Sequence, residues 1–135
     1  MDKSEKLHVA IIGSRAFDNY KFVHRVFHTY YPNPENIEYI VSGGAIGVDT
    51  LAEQLAQEHD IKTLIFKPDY DRYKRMAPLM RNNTIVKVSD VVLALWDGKS
   101  RGTKYTIDLA MKSGKGVIIE HIFNKAPDQT KLGWY

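Results

Sequence analysis

The residues of this chain that suit the binding of a charged ligand are concentrated in a glycine-rich stretch over 42–49, Ser-Gly-Gly-Ala-Ile-Gly-Val-Asp. Glycines permit a tight turn in which successive backbone N–H groups converge. The apolar spacing from Val48 onward is helical, so a helix N-terminus adds partial positive charge directly after the turn. The stretch therefore predicts an anion cradle, best suited to a phosphate. It is not a P-loop, because no Gly-Lys-Ser/Thr follows, and it lacks the Gly-x-Gly-x-x-Gly dinucleotide spacing.

Two more glycine-containing turns carry groups that suit a phosphate. Gly13-Ser14-Arg15 ends an apolar run, and residues 98–103 precede a helix. Thr103 is a natural N-cap for that helix, yet its hydroxyl and the neighbouring N–H groups also suit a phosphate, and we favour this ligand-binding role. Arg15 and Arg81 lie beside these turns, and guanidinium groups favour paired contacts with phosphate oxygens.

Alternating strand and helix patterns must position these turns. Short apolar runs predict strands at 7–12, 37–41, 61–66, 91–95 and 116–120. Helices are predicted at 20–30, 48–59, 77–88 and 102–114, the last with Ile107, Ala110 and Met111 facing inward, and 69–75 is predicted as a loop. The alternation predicts an α/β domain on a mostly parallel, doubly wound sheet of about five strands. Ligands of such sheets bind at the carboxyl ends of the strands, the edge where the three turns would meet.

Composition limits the kinds of protein that this chain can be. A chain of 135 residues with 44% hydrophobic and 26% charged residues is typical of one globular domain, expected over 1–135. We divide it into a core over 6–121 and a C-terminal extension over 122–135 that packs back through Trp134 and Tyr135. The net charge of +3 favours anionic ligands but is too small to indicate nucleic acid by itself. The absence of cysteine excludes disulfides and thiolate chemistry. No apolar run could span a membrane and the polar start lacks a signal-peptide core, so we expect a cytoplasmic protein.

The order of the motifs resembles a known family. The motifs are Gly13-Ser14-Arg15-x-Phe17-x-Asn19, Ser42-Gly43-Gly44-Ala45-x-Gly47-x-Asp49, Arg81-Asn82 and Trp96-Asp97-Gly98 followed by Gly102-Thr103. Over roughly 7–121 the chain is similar to the YspA-type branch of the SLOG superfamily. This Rossmann-like group also contains the DNA-processing protein DprA and the LOG phosphoribohydrolases. The resemblance implies a three-layer Rossmann-like domain that binds a nucleotide or nucleotide-derived ligand and forms a homo-oligomer.

The resemblance also bears on catalysis. LOG enzymes cleave the base–ribose bond of a nucleoside monophosphate with an arginine and a glutamate around Pro-Gly-Gly-x-Gly-Thr-x-x-Glu. Here Arg81 is expected to match the arginine, but Thr106 stands at the glutamate position. Asp108 is rotated by roughly 200° around the helix from Thr106. A carboxylate would stabilise an oxocarbenium-like centre or activate water, so its absence argues against LOG-type hydrolysis. Arg81, Asp49 and Asp108 are the candidate catalytic residues.

The candidate ligand-binding residues come from the turns and the matched motifs. They are Gly13, Ser14, Arg15, Ser42, Gly43, Gly44, Ala45, Gly47, Asp49, Arg81, Asn82, Trp96, Gly98, Gly102 and Thr103. Asp49 either offsets the exposed N–H groups of its helix or contacts a ligand group such as a ribose hydroxyl. Tyr70, Tyr73 and Trp96 can stack on a base or fill the edge of the core, and the core is favoured for Trp96. The five histidines show no metal-ligand spacing, so we expect no metal site and scattered surface roles.

Three functions are compatible with these features. The first is a module that senses or sequesters a nucleotide-derived small molecule. The second is a nucleoside-phosphate N-glycoside hydrolase in which Asp49, Asp97 or Asp108 replaces the missing glutamate. The third is DprA-like binding of single-stranded DNA, supported only by the pI near 9.0 and the basic, aromatic segment 70–75. We rank them in this order, and the sequence does not name the ligand.

Overall fold

The computed structural model describes residues 6–123, in which five parallel strands form one sheet. The strands are β1 (Leu7–Gly13), β2 (Ile37–Ser42), β3 (Lys62–Ile65), β4 (Val91–Trp96) and β5 (Gly116–His121), in the order β3-β2-β1-β4-β5. The chain winds outward from β1 to β3 and then returns to place β4 beside β1. The strand order therefore reverses between β1 and β4, where Gly13 pairs with Leu95. The predicted doubly wound α/β sheet is confirmed.

Helices cover both faces of the sheet and give the expected three layers. They are α1 (Tyr20–Tyr30), α2 (Val48–Glu58), α3 (Tyr70–Tyr73), α4 (Ala77–Val88) and α5 (Arg101–Lys112), with 3-10 turns at Pro34–Asn36 and Lys74–Met76. Alternate residues of β1 point to opposite faces, because side chains alternate along a strand. Val9 and Ile11 join the core under α1 and α2, whereas Ala10 and Ile12 join a second core under α4 and α5.

Three local predictions about the helices were wrong. Residues 69–75 were expected to be a loop, but they contain α3, which begins where the Asp69 carboxylate accepts a hydrogen bond from the Arg72 N–H at 3.2 Å. The N-cap of α5 is Ser100 rather than Thr103, whose N–H donates to the Ser100 hydroxyl at 3.3 Å. Met111 is 55% exposed, because it lies beside the buried stripe of α5 rather than on it.

The described residues leave part of the domain prediction untested. Trp134 and Tyr135, expected to pack back onto the core, lie outside them. Ile122 is buried against the α1 and α2 core just after β5. None of the helices described combines the length and the apolar character needed to cross a bilayer.

Candidate functional site

A cavity of about 460 Å³ opens at the carboxyl edge of the sheet, where the strand order reverses. Its walls come from the end of β1, the turn before α2, the segment around α3, α4 and the first turns of α5. The lining residues are Ile12, Gly13, Arg15, Gly44, Ala45, Asp49, Pro68, Tyr70, Pro78, Arg81, Asn82, Ile85, Ser100, Gly102, Thr103 and Thr106. Nucleotide-sized ligands occupy cavities of roughly this size.

Nine of the fifteen candidate residues line this cavity. They are Gly13, Arg15, Gly44, Ala45, Asp49, Arg81, Asn82, Gly102 and Thr103. The structure does not place Ser14, Ser42, Gly43, Gly47, Trp96 or Gly98 in the cavity wall. Several of these six shape the turns instead. Ser14 is buried and accepts from the Ala16 N–H at 3.1 Å, and Ser42 is buried and donates to Glu53 at 3.1 Å.

The glycines behind the wall allow close approaches between protein segments. Gly47 adopts a φ of +80°, which favours glycine, and the next N–H, that of Val48, donates to the Ser14 carbonyl at 3.0 Å. A Cβ at Gly43 would lie only 2.5 Å from the Arg81 guanidinium and 2.9 Å from the Asp49 carboxylate. Glycine at position 43 therefore lets these two side chains approach the turn as they do, and a larger residue would displace their ends.

Arg81 is a half-buried cation in the cavity wall. Its Nη1 donates to the Gly43 carbonyl and its Nε donates to the Asn82 side-chain oxygen at 2.7 Å. Among the described residues it forms no direct ion pair. Burial lowers the pKa of the guanidinium, and the nearby Asp49 acts in the opposite direction. Because arginine stays protonated in proteins, the wall carries a fixed positive charge.

Asp49 is the carboxylate of this cavity. It lies in the first turn of α2 and is 7% exposed. Its Oδ2 accepts from the Ala45 N–H at 3.1 Å, so the carboxylate holds the glycine-rich turn. Burial raises the pKa of Asp49 to about 6, while the hydrogen bond from Ala45 and the charge of Arg81 lower it. Asp49 therefore titrates closer to neutral pH than an exposed aspartate does.

The first turn of α5 presents its backbone to the cavity. Ser100 caps the helix, and Gly102 and Thr103 both line the cavity. A Cβ built on Gly102 would meet no atom within 4 Å. No contact within the described protein therefore requires glycine at this position, and the gap leaves the helix N-terminus accessible to an anion.

The remaining catalytic candidates lie away from the cavity. Asp108 is exposed and pairs with Lys104 at 2.7 Å. The Asp97 carboxylate accepts from the Lys99 and Ser100 N–H groups, both at 2.8 Å, and so shapes the turn before α5. Thr106 does line the cavity, with its hydroxyl donating to the Gly102 carbonyl at 3.0 Å. The position that resembles the LOG glutamate thus faces the cavity, but it holds a neutral hydroxyl.

The three aromatic candidates have different positions. Tyr70 lines the cavity and is 58% exposed. Tyr73 lines a neighbouring cavity of about 280 Å³. Trp96 packs against the α4 and α5 core and donates from Nε1 to the Ser100 carbonyl at 3.1 Å. Of the three, Tyr70 is therefore the one whose ring is exposed at this cavity.

Sequence reasoning missed several wall residues and a histidine cluster. The wall residues that sequence reasoning did not single out are Ile12, Pro68, Pro78, Ile85 and Ser100. Only Ser100 had a visible signal, as a capping residue three positions before Thr103. The prediction of scattered histidines was wrong for His24, His28 and His59, which lie together between α1 and the end of α2.

The fold and the cavity define a Rossmann-like α/β module of the ligand-binding SLOG type. Residues 7–73 match the model of the YspA, cpYpsA-related SLOG family, the same family that the sequence motifs resemble. This match confirms the resemblance found in the motifs. None of the curated proteins matches the chain.

Two solved structures of DNA processing protein A are similar to this fold. The protein from Streptococcus pneumoniae has a TM-score of 0.70 and 24% identity, over 84% of this chain and 50% of that chain. The Helicobacter pylori protein, described for its single-stranded DNA binding mode, has a TM-score of 0.67 and 25% identity, over 96% of this chain and 73% of that chain. This chain thus spans about half the length of the Streptococcus protein.

Proposed function

We propose that the protein binds a nucleotide or nucleotide-derived small molecule at the carboxyl edge of its sheet, as a sensor or sequestering module. The observation that carries this proposal is the half-buried Arg81, which lines the cavity without a direct ion pair in the described protein. A phosphate would supply the paired anionic contact that this guanidinium favours.

Two further features support a phosphorylated ligand. Gly102 leaves the N-terminus of α5 open toward the same cavity, so its N–H groups can donate to phosphate oxygens. Tyr70 lies at the exposed side of the cavity, where its ring can stack on a base. A nucleotide offers the phosphate and the aromatic group together.

A second candidate function, N-glycoside hydrolysis, is favoured by one observation. Asp49 is a buried carboxylate inside the cavity, and its pKa of about 6 suits a group that exchanges protons near neutral pH. The neutral Thr106 at the position that resembles the LOG glutamate favours binding over hydrolysis. We therefore rank the binding module first.

The test is native mass spectrometry of the purified protein, followed by thermal-shift titration with AMP, cyclic AMP, ADP-ribose and a short single-stranded DNA. Mass spectrometry also reports the assembly state, for which a homo-oligomer stays our prediction. We expect a small nucleotide to raise the melting temperature and to be recovered unchanged. Release of free base would favour hydrolysis, and Asp49→Asn should then stop turnover while binding persists.

Paired arginine variants show whether the cavity is the binding site. Arg81→Lys keeps the charge but loses the planar guanidinium, so nucleotide affinity should fall. Arg25→Lys makes the same change on α1, where Arg25 stacks over Phe22 at 5.3 Å, and affinity should be unchanged. Equal effects of the two variants, or binding of DNA alone, would contradict the proposal.

A further inference from the structure

Three of the five histidines converge on the face of the molecule covered by α1 and α2. His24 and His28 lie one turn apart on α1, and His59 directly follows α2. One ring nitrogen from each lies within 4.8 Å of the other two. The ring centroids are 4.3 Å apart for His24 and His28, 4.8 Å for His28 and His59, and 5.5 Å for His24 and His59.

Hydrogen bonds assign the tautomers of two of these rings. The Nδ1 of His59 lies 2.9 Å from the Leu55 carbonyl, which only accepts, so His59 carries its proton on Nδ1. The Nε2 of His59 therefore carries no proton, and its lone pair accepts a hydrogen bond. The donor is the Nε2 of His28, which lies 2.8 Å away. A ring held by Nδ1–H on a backbone carbonyl, with Nε2 exposed to a neighbouring ligand atom, is the arrangement that fixes histidine for metal binding.

The cluster has a rigid base. Phe27, which is fully buried, contacts His28 and His59 with centroid distances of 5.6 and 5.8 Å. Neutral imidazoles are the form that binds metals, because each then offers a lone pair.

We infer that His24, His28 and His59 form a binding site for a divalent first-row transition-metal ion of the Zn²⁺ type, independent of the nucleotide cavity. Imidazole nitrogens suit Zn²⁺, Ni²⁺ and Cu²⁺, whereas Mg²⁺ and Ca²⁺ prefer oxygen ligands. When the ion binds, the His28 proton moves from Nε2 to Nδ1, so that Nε2 becomes a ligand without a net change of charge. The ion would join α1 to the end of α2, and water would complete the coordination.

The first experiment is competition between the EDTA-treated, dialysed full-length chain and a chromophoric zinc chelator. We expect one Zn²⁺ per chain and a melting temperature that rises with Zn²⁺ but not with Mg²⁺. Co²⁺, which reports its ligands through its visible absorption, should give a spectrum that Zn²⁺ abolishes by displacement. Failure to bind Zn²⁺, or an equal response to Mg²⁺, would overturn the inference.

Matched variants locate the site. His28→Asn and His24→Gln should each weaken Zn²⁺ binding by roughly 10–100-fold or more, since losing even an outer-sphere partner costs that much. His121→Asn, on the exposed end of β5, should bind Zn²⁺ like the parent. The melting temperature without metal identifies any variant that fails to fold, and His24→Gln changes a side chain that is only half-buried. Unchanged affinity in a folded double variant, or Zn²⁺ bound only between two chains, would refute the site.

Discussion

Replacing Gly102 by alanine should separate stability from binding. A Cβ at this position meets no atom within 4 Å, and Gly102 is the second residue of α5. Alanine in a helix is more stable than glycine by about 0.5–1 kcal/mol. With an unfolding entropy of about 2.1 cal/mol/K per residue, a chain of this length should melt roughly 2–4 °C higher.

The same methyl group should weaken the binding of the ligand. Gly102 lines the cavity, so we expect the added methyl group to hinder the approach of an anion to the first N–H groups of α5. A lost hydrogen bond to a charged group costs about 1.5–3 kcal/mol. We therefore expect affinity for the best-binding nucleotide to fall by roughly 10–100-fold.

Thermal unfolding and isothermal titration calorimetry of the same preparation measure both effects. Met111→Ala is the matched control, because it changes an exposed residue of α5 away from the cavity and should leave affinity unchanged. A more stable Gly102→Ala variant that binds as tightly as the parent would refute the role of the α5 N-terminus. A less stable variant would refute the inference that the position is sterically open.

Three further predictions concern charge and packing. Asp49 has a folded-state pKa near 6, above its ordinary 3.8, so its ionisation opposes folding. Urea unfolding should show parent stability falling by about 2 kcal/mol from this group as the pH rises from 4 to 6, relative to Asp49→Asn. NMR titration should place the pKa of His8 above 6.5, because its ring forms a hydrogen bond with Glu38. The pKa of His28 should lie below 6.5, because the ring is partly buried. The reverse order of the two pKa values would contradict this prediction. Leu55→Ala, in the fully buried core, should cost about 2–5 kcal/mol by urea unfolding, and a smaller loss would show that the core relaxes.

Patterns that persist along the chain were predictable. The apolar runs and helical spacings are repeated enough to define all five strands and four of the helices, and parallel strands place their carboxyl ends at one edge. α3 was missed because four residues are too few to show a helical period. The assignment of Thr103 as the N-cap was wrong because Ser100, three positions earlier, competes for the same role.

Contacts between distant segments were not predictable. His24 and His28 show helical spacing in the sequence, but nothing there indicates that His59 closes the cluster. The approach of Arg81 to Gly43 could not be predicted either, since it depends on how α4 packs against the turn before α2. The motif match identified Arg81 as a candidate, but its buried position beside Asp49 required the packed structure.

The sheet divides the hydrophobic interior into two compartments, and only one of them adjoins the cavity. Ile12 and Ile85 belong to the core under α4 and α5 and also form part of the cavity wall. The core under α1 and α2, around Phe27 and Leu55, contributes no residue to that wall. Substitutions on opposite sides of the sheet should have additive effects on the free energy of unfolding, because distant sites without shared partners rarely couple. Protein engineers can therefore repack the core under α1 and α2 to obtain a more stable scaffold while leaving the cavity wall as it is.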